Sequence, residues 1–347
     1  MSIKSKLFKR ENLMRFISLF AIIVLAIVFE QIQPNFLGRT NVSSMLRDNA
    51  VLLTMAVGMT SVLIFGSIDL SMGAMCSVAN VLYVRIIVTF ADKFKAQGIE
   101  DPNYMGVMFL AIACCLAVGC ISGLLMGIVH VKLKVPSFIA SLGFMSVWTS
   151  AAYLISNKAE AIPRLMKGTY EWYKLSFIGD EFIGTKGWIP MPLIIAIIIA
   201  VIFYILQSRT EFGRTIFSIG GNERAARIAG MGVDRTKITI FALAGMCAAL
   251  GGVFLAAKIK SSDPTLGDPY TLMMVASCVL GGCSLSGGKG SCLGTILGAL
   301  TVTVIKNGLT FIGVDAYWQD VVFGAFVLAM IILSIDRSKN TRGIAVK

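Results

Sequence analysis

Apolar runs of about 20 residues recur along the chain, and one long polar stretch, 208–237, interrupts them in the second half. A run of about that length is what a helix needs to cross the hydrocarbon core of a bilayer. In lipid every backbone polar group must be satisfied internally, so such runs can only become helices. The 347 residues are 56% hydrophobic and 14% charged. That balance leaves room for roughly ten spans and none for a separate soluble domain. The expected fold is an all-α polytopic membrane protein, one domain over 1–347, with broken or short helices near its pathway.

Reading outward from the polar stretch, the spans fall near 13–32, 49–65, 71–90, 104–129, 137–155, 189–207, 238–257, 270–283, 291–312 and 317–335. Residues 41–48 read as a short interfacial helix, and Gly66 to Ser71 as a break. The basic N-terminus precedes an apolar run with no small-residue cleavage site, so it reads as a first span starting in the cytoplasm. Loop 156–187 carries Tyr170, Trp172 and Tyr173, with Trp188 just after it, the aromatics of a membrane interface. The net charge of +12 is a topology signal rather than a nucleic-acid footprint. With both termini inside, 18 of the 31 basic residues but only 6 of the 19 acidic ones fall on the cytoplasmic side. All eight cysteines lie in apolar stretches without metal-ligand spacing, and read as packing residues.

The interruption has helix signals of its own. After Gly220-Gly221, Asn222 is placed to cap, Glu223 favours the first turn, and Gly230 and Gly232 offer stops. Ala225, Ala226, Ile228 and Ala229 form a small-residue face. A capped helix between two spans is a surface that a soluble partner can grip.

Few polar groups sit inside the spans. Asp69 either caps the third span with Ser67 and Ser71 or lies near a permeation path. Lys306 and Asn307 lie within the ninth span, and an amide can both donate to and accept from sugar hydroxyls. Asn49, Thr54, Thr60 and Asn80 read as packing glue, Asn49 also as a candidate in the pathway, and Arg85 as a snorkelling side chain. Residues 284–290 hold glycines and a lysine without the Walker spacing, so a nucleotide site is not expected. The pairs Gly119/Gly123 and Gly294/Gly298 suggest tight helix contacts or a dimer face. A weak repeat aligns Gly66-Ser-Ile-Asp-Leu-Ser-Met-Gly73 with Gly281-Gly-Cys-Ser-Leu-Ser-Gly-Gly288. No catalytic set is visible.

Taken together, 66–73, 212–230, 279–290 and the stretch from Gly308 to Gln319 resemble the inner-membrane permeases of bacterial ABC sugar importers. The resemblance is to the ribose and galactose/methyl-galactoside group, with the last stretch most like the galactose branch. It implies a homodimeric permease that moves a monosaccharide and has no cofactor. An ATPase with two nucleotide-binding halves in one chain docks on the cytoplasmic side, and a periplasmic binding protein delivers the sugar. It also implies that Arg214, Gly220, Gly221, Asn222, Glu223, Ala226, Arg227 and Gly230 form the coupling segment. Candidate pathway residues are Asn49, Asp69, Ser71, Lys306 and Asn307. Ile68, Met72 and Lys306 depart from the family's pattern. Nucleoside importers share this permease type, and the rival class is an ion-coupled carrier, for which only Asp69 offers an acid. Exchanging Arg227 for Glu is expected to uncouple transport and leave folding intact.

Overall fold

The computed structural model describes residues 10–100, 102–174 and 189–334. Its main helices are α1 (Arg10–Ile32), α2 (Arg39–Ile64), α3 (Ser71–Ala96), α4 (Tyr104–Lys132), α5 (Ser137–Ile155) and α6 (Met191–Arg209). They continue as α7 (Glu211–Ile228), α8 (Val233–Ile259), α9 (Asp268–Leu280), α10 (Cys292–Phe311) and α11 (Ala316–Ser334). By length and composition α2, α3, α4, α5, α6, α8 and α10 can each cross a bilayer, and α1, α9 and α11 add shorter apolar runs. These are the ten membrane helices of an all-α protein, with α7 as the polar interruption. The expected Trp188, the extreme N-terminus and the C-terminal tail lie outside the described residues.

Burial and hydropathy run in opposite directions between the centre and the rim. The central α2 has the lowest mean hydropathy of the seven long spans, 1.2, yet 89% of its apolar window is buried. The outer α4 and α6 reach 2.5 with 33% buried. Only a lipid-facing helix must be apolar all round. A central one can carry hydroxyls and glycines if protein satisfies them. On α2, Thr60 bonds back to the Ala56 carbonyl and meets the Thr295 hydroxyl of α10 at 2.6 Å. Ser61 accepts from Gln207 of α6 at 3.0 Å.

Glycines bring the inner helices together. Along α4, a Cβ at Gly119, Gly123 or Gly127 would strike the α8 backbone around Gly245, Phe241 and Ile238. Gly294 and Gly298 of α10 press in the same way on Gly281 and Ser277. Both small-residue pairs are thus helix contacts within the chain, and neither is a dimer face.

The expected interfacial helix 41–48 is the first part of α2. Two of its polar residues find partners in distant helices: Asp48 pairs with Lys258 of α8 at 2.8 Å, and Asn41 exchanges hydrogen bonds with Asn307 of α10. The aromatic loop also turns inward. Tyr173 is buried and donates to the Arg47 carbonyl at 2.7 Å, and Trp172 packs edge-on against Phe254 of α8. Arg85 does not simply reach for headgroups, since it pairs with Glu160 of this loop at 2.7 Å.

Two helix ends carry the internal likeness, one residue out of the register read from sequence. Gly66 after α2 has φ +88° and Gly282 after α9 has φ +89°. In both places the following residue, Ser67 or Cys283, donates back to the carbonyl five residues earlier, at 3.1 and 2.9 Å. This is the six-to-one bond of a Schellman stop, which needs a left-handed residue and so favours glycine. The shared backbone pairs Gly66 with Gly282, not with Gly281.

Helix α9 has only 13 residues, about 20 Å of helix. The loop before it dips into the bundle and is held there by buried groups of α3. Gly267 donates to Ser77 at 2.9 Å, and Asp263 donates to Asn80 at 2.9 Å. Gly123→Val should reduce thermal stability by roughly 1–3 kcal/mol or more through collision with α8. Gly143→Ala, where nothing lies within 4 Å, should leave the melting temperature unchanged, and thermal unfolding in detergent compares the two.

Candidate functional site

The polar interruption is two helices in line. Thr210 caps the first by accepting from Gly213 at 3.2 Å. The chain then kinks at Asn222, whose φ of −162° and ψ of 101° are extended. Its side-chain oxygen accepts from the Ala225 amide at 3.1 Å and so caps a second, short helix. Gly230 closes that helix, with Met231 donating to the Ala226 carbonyl at 3.1 Å. Gly232 takes no part in the stop and precedes α8 instead.

The inner face of α7 is locked to the bundle in two ways. Glu223 accepts from Lys237 of α8 at 2.7 Å and from Arg227 at 2.9 Å, and Arg227 reaches Asp234 at 2.6 Å. Burial alone would raise the Glu223 pKa, but hydrogen bonds from Lys237 and Arg227 outweigh it and hold the carboxyl below its ordinary value. Arg227 is held above its own by Asp234 and Glu223. Lys237, nearly buried, also sits 5.8 Å over the Phe65 ring at the end of α2.

The second lock is backbone on backbone. The Gly288 amide donates to the Ile64 carbonyl, the last of α2, at 2.7 Å. Gly220 lies against both, and a Cβ there would collide with the Ile64 oxygen and the Gly288 nitrogen. Gly287 in turn packs on Gly66, whose Cα lies 2.8 Å from where a Gly287 Cβ would be. The loop 284–290 thus joins α9 to α10 and wedges between α2 and α7.

The outer face differs from the one expected. Ala226 is buried and positions the helix from within. Gly221, Arg224, Ala225, Ile228 and Ala229 are exposed. Ile228 is 88% exposed, unusual for an isoleucine among charged neighbours. Arg214 is also exposed, 3.6 Å from Glu211. Because Arg227 holds two carboxylates, its reversal to glutamate would set three acids together. That substitution would therefore disturb the helix itself rather than leave folding intact.

The five pathway residues separate into two places. Asp69 is buried between α2 and α3, beside the end that carries α7, and accepts from the Ser71 amide at 2.9 Å and the Ser71 hydroxyl at 2.6 Å. There it fixes the start of α3. At the opposite end, Lys306 and Asn307 line a cavity of about 330 Å³ with Asp48, Lys258, Tyr270 and Thr303. Asn49 lies behind it, accepting from Thr303 at 3.1 Å. The Asn307 amide is committed to Asn41.

Ser77 and His130 carried no signal in the sequence, and Asn80, read there as packing glue, has a more specific role. Ser77 and Asn80 seat the dipping loop, and no local pattern marks a serine or asparagine for that role. His130, the one histidine, shares its Nδ1 hydrogen with the Val135 carbonyl at 2.9 Å and places Nε2 3.5 Å from the Ser67 hydroxyl. A carbonyl only accepts, so Nδ1 carries the proton. The histidine ties α4 to the Gly66 stop.

Comparison with known proteins decides the family. The family described as branched-chain amino acid transport system / permease component matches residues 41–331. This chain belongs to that family. Among individual relatives, the ribose import permease of Bacillus subtilis is 35% identical over 317 residues, covering 91% of each chain. The ribose import permease of Escherichia coli is 32% identical, covering 96% of this chain and 97% of the relative. The galactose/methyl galactoside import permease of Haemophilus influenzae is 33% identical, over 95% and 96%. A solved inward-facing metal-chelate type ABC transporter aligns with TM-score 0.50 over 92% of this chain at 12% identity, a likeness of fold alone. The family member described here is thus a multi-pass transport permease by descent.

The depressed pKa of Glu223 has a sign. A carboxyl held below its unfolded value stabilises the folded state above that value, and the stabilisation is lost as pH falls through the lower one. A spin label at exposed Ala225 should therefore stay ordered as pH falls to 4.5, the ordinary value, and loosen only below it. Glu223→Gln should loosen it at neutral pH, as read by electron paramagnetic resonance.

Proposed function

We propose that this chain is the permease subunit of an ATP-driven importer in a bacterial inner membrane, moving a monosaccharide of the ribose or galactose kind. The sugar class follows what the ribose and galactose/methyl galactoside permeases are named for. Both termini are cytoplasmic, two copies form the pathway, and a periplasmic binding protein delivers the sugar. ATP is hydrolysed by a separate ATPase with two nucleotide-binding halves, and residues 208–237 are the cytoplasmic loop it grips.

One observation carries this reading. Helix α7 shows outward a solvent-exposed isoleucine and arginine, while its inner side is held to the bundle by Glu223 and Gly220. A helix built in this way transmits force. When the ATPase closes, its push on α7 passes through Gly220 to the Ile64 carbonyl and the Gly288 amide. It reaches the ends of α2 and α9 without flexible side chains between. Those are the two broken helices, and moving them opens the path toward the other face. Specificity sits mainly in the delivered complex, which fits the scarcity of uncommitted polar groups in the spans.

Protein tagged and extracted in mild detergent should bring down an ATPase. Arg224→Glu with Ile228→Asp should release it, because both side chains leave the fold untouched. Purification of the chain alone, with uptake into liposomes that needs no ATP, would overturn the reading. Gly220→Ala should retain the ATPase but lower uptake by about tenfold or more, the scale of a site-to-site coupling. Gly221→Ala, with nothing within 4 Å, should transport normally.

A further inference from the structure

The cavity at the end opposite α7 has a chemistry that the transport of neutral sugars does not require. It is bounded by Asp48 and Leu52 of α2, Lys258 of α8, Tyr270 of α9, and Thr303 and Lys306 of α10. Its volume of about 330 Å³ falls at the small end of the roughly 300–1,000 Å³ typical of ligand pockets. That is a monosaccharide's scale rather than a disaccharide's.

Most of its polar lining is already committed. Asp48 is neutralised by Lys258 at 2.8 Å. The Thr303 hydroxyl donates to Asn49. The Thr310 hydroxyl bonds the Lys306 carbonyl and Gln319 at 2.9 and 3.1 Å. Asn307 is paired with Asn41. Two groups are left. Among the described residues neither the Lys306 ammonium nor the Tyr270 hydroxyl has a hydrogen-bond or ion-pair partner. Asp320 of α11 is exposed and shares with Lys306 only a separate recess of about 10 Å³, without forming an ion pair. Asp48 and Asp320 lie near enough to act on Lys306 through space, but neither forms an ion pair with it. An ammonium set within a span without a directly paired carboxylate is costly, and such charges mark ligand paths. Two uncommitted donors, one of them cationic, call for an anionic acceptor.

We propose that this cavity is a subsite for a monosaccharide that carries a carboxylate, a sugar acid, whose carboxylate is held by Lys306 and Tyr270. The committed hydroxyls and the Asp48–Lys258 pair face the sugar's own hydroxyls, which can donate and accept at once. The proposal rests on the importer reading above and narrows its substrate class.

The test uses the full chain in lipid nanodiscs, with binding of galacturonate, galactose and inorganic phosphate read by saturation-transfer NMR. Galacturonate should bind about tenfold more tightly than galactose, the worth of one charge-assisted hydrogen bond. Lys306→Met should erase the difference, Lys306→Arg should keep it, and raising salt should weaken galacturonate alone. Tyr270→Phe should weaken galacturonate by a smaller factor. Melting temperatures of the variants exclude a folding defect as the cause. Equal binding of galactose and galacturonate, or a preference that survives Lys306→Met, would overturn the proposal. So would displacement of galacturonate by phosphate at equal concentration, which would mark a phosphate site such as a lipid headgroup occupies. Co-purification of an ATPase from mild detergent is a separate readout that does not depend on the substrate. Its absence would sink the importer reading, whereas its presence with no galacturonate preference would sink this inference alone.

Discussion

Where α2 stops, its last carbonyls have no intrahelical donor, and the Gly288 amide supplies one to Ile64 at 2.7 Å. Much of the architecture depends on that meeting. For the amide to arrive, the chain between α9 and α10 must wedge against the end of α2, which requires Gly287 and Gly66 to lie face to face. For α7 to lie across the same point, residue 220 must have no side chain. Two interrupted helices and one surface helix are therefore joined by backbone rather than by side chains. Backbone contact has little slack, because no rotamer can turn away to absorb a displacement.

This placement explains the division of labour along the bundle. The end with α7 is rich in committed polar contacts: Asp69 with Ser71, His130 with Val135, Glu223 with Lys237. They fix the starts and stops of helices around the wedge, and none is free to hold a cargo. The opposite end keeps a cavity with Lys306 and Tyr270 in its wall.

The family and the geometry inform different parts of the conclusion. Relatives near one-third identity over almost the whole length establish a transport permease. The 12% identity to a solved transporter speaks for the fold alone. The inner and outer faces of α7 come from the structure: Glu223 and Gly220 hold the inner side, and Arg224 and Ile228 face outward.

Apolar runs, caps and charge bias are local, and they were legible in the sequence. The ten membrane helices follow from the length of each apolar run, because lipid leaves the backbone no other option. The short helix from Asn222 to Gly230 follows from a capping asparagine and a stopping glycine, whose effects act within one turn. What only the tertiary structure decided are relations between distant segments: Gly220 against Gly288, Ser77 beneath Gly267, Asn41 with Asn307, and the aromatic loop folded onto α8. The sequence reading of 41–48 as an interfacial helix erred for this reason, and for the same reason the small-residue face 225–229 could not show that Ala226 alone turns inward, nor Asp69 that its carboxylate is taken up by Ser71. A polar or small residue reads alike whether its partner is water, lipid headgroup or a helix some 200 residues away, and only packing settles which of these satisfies it.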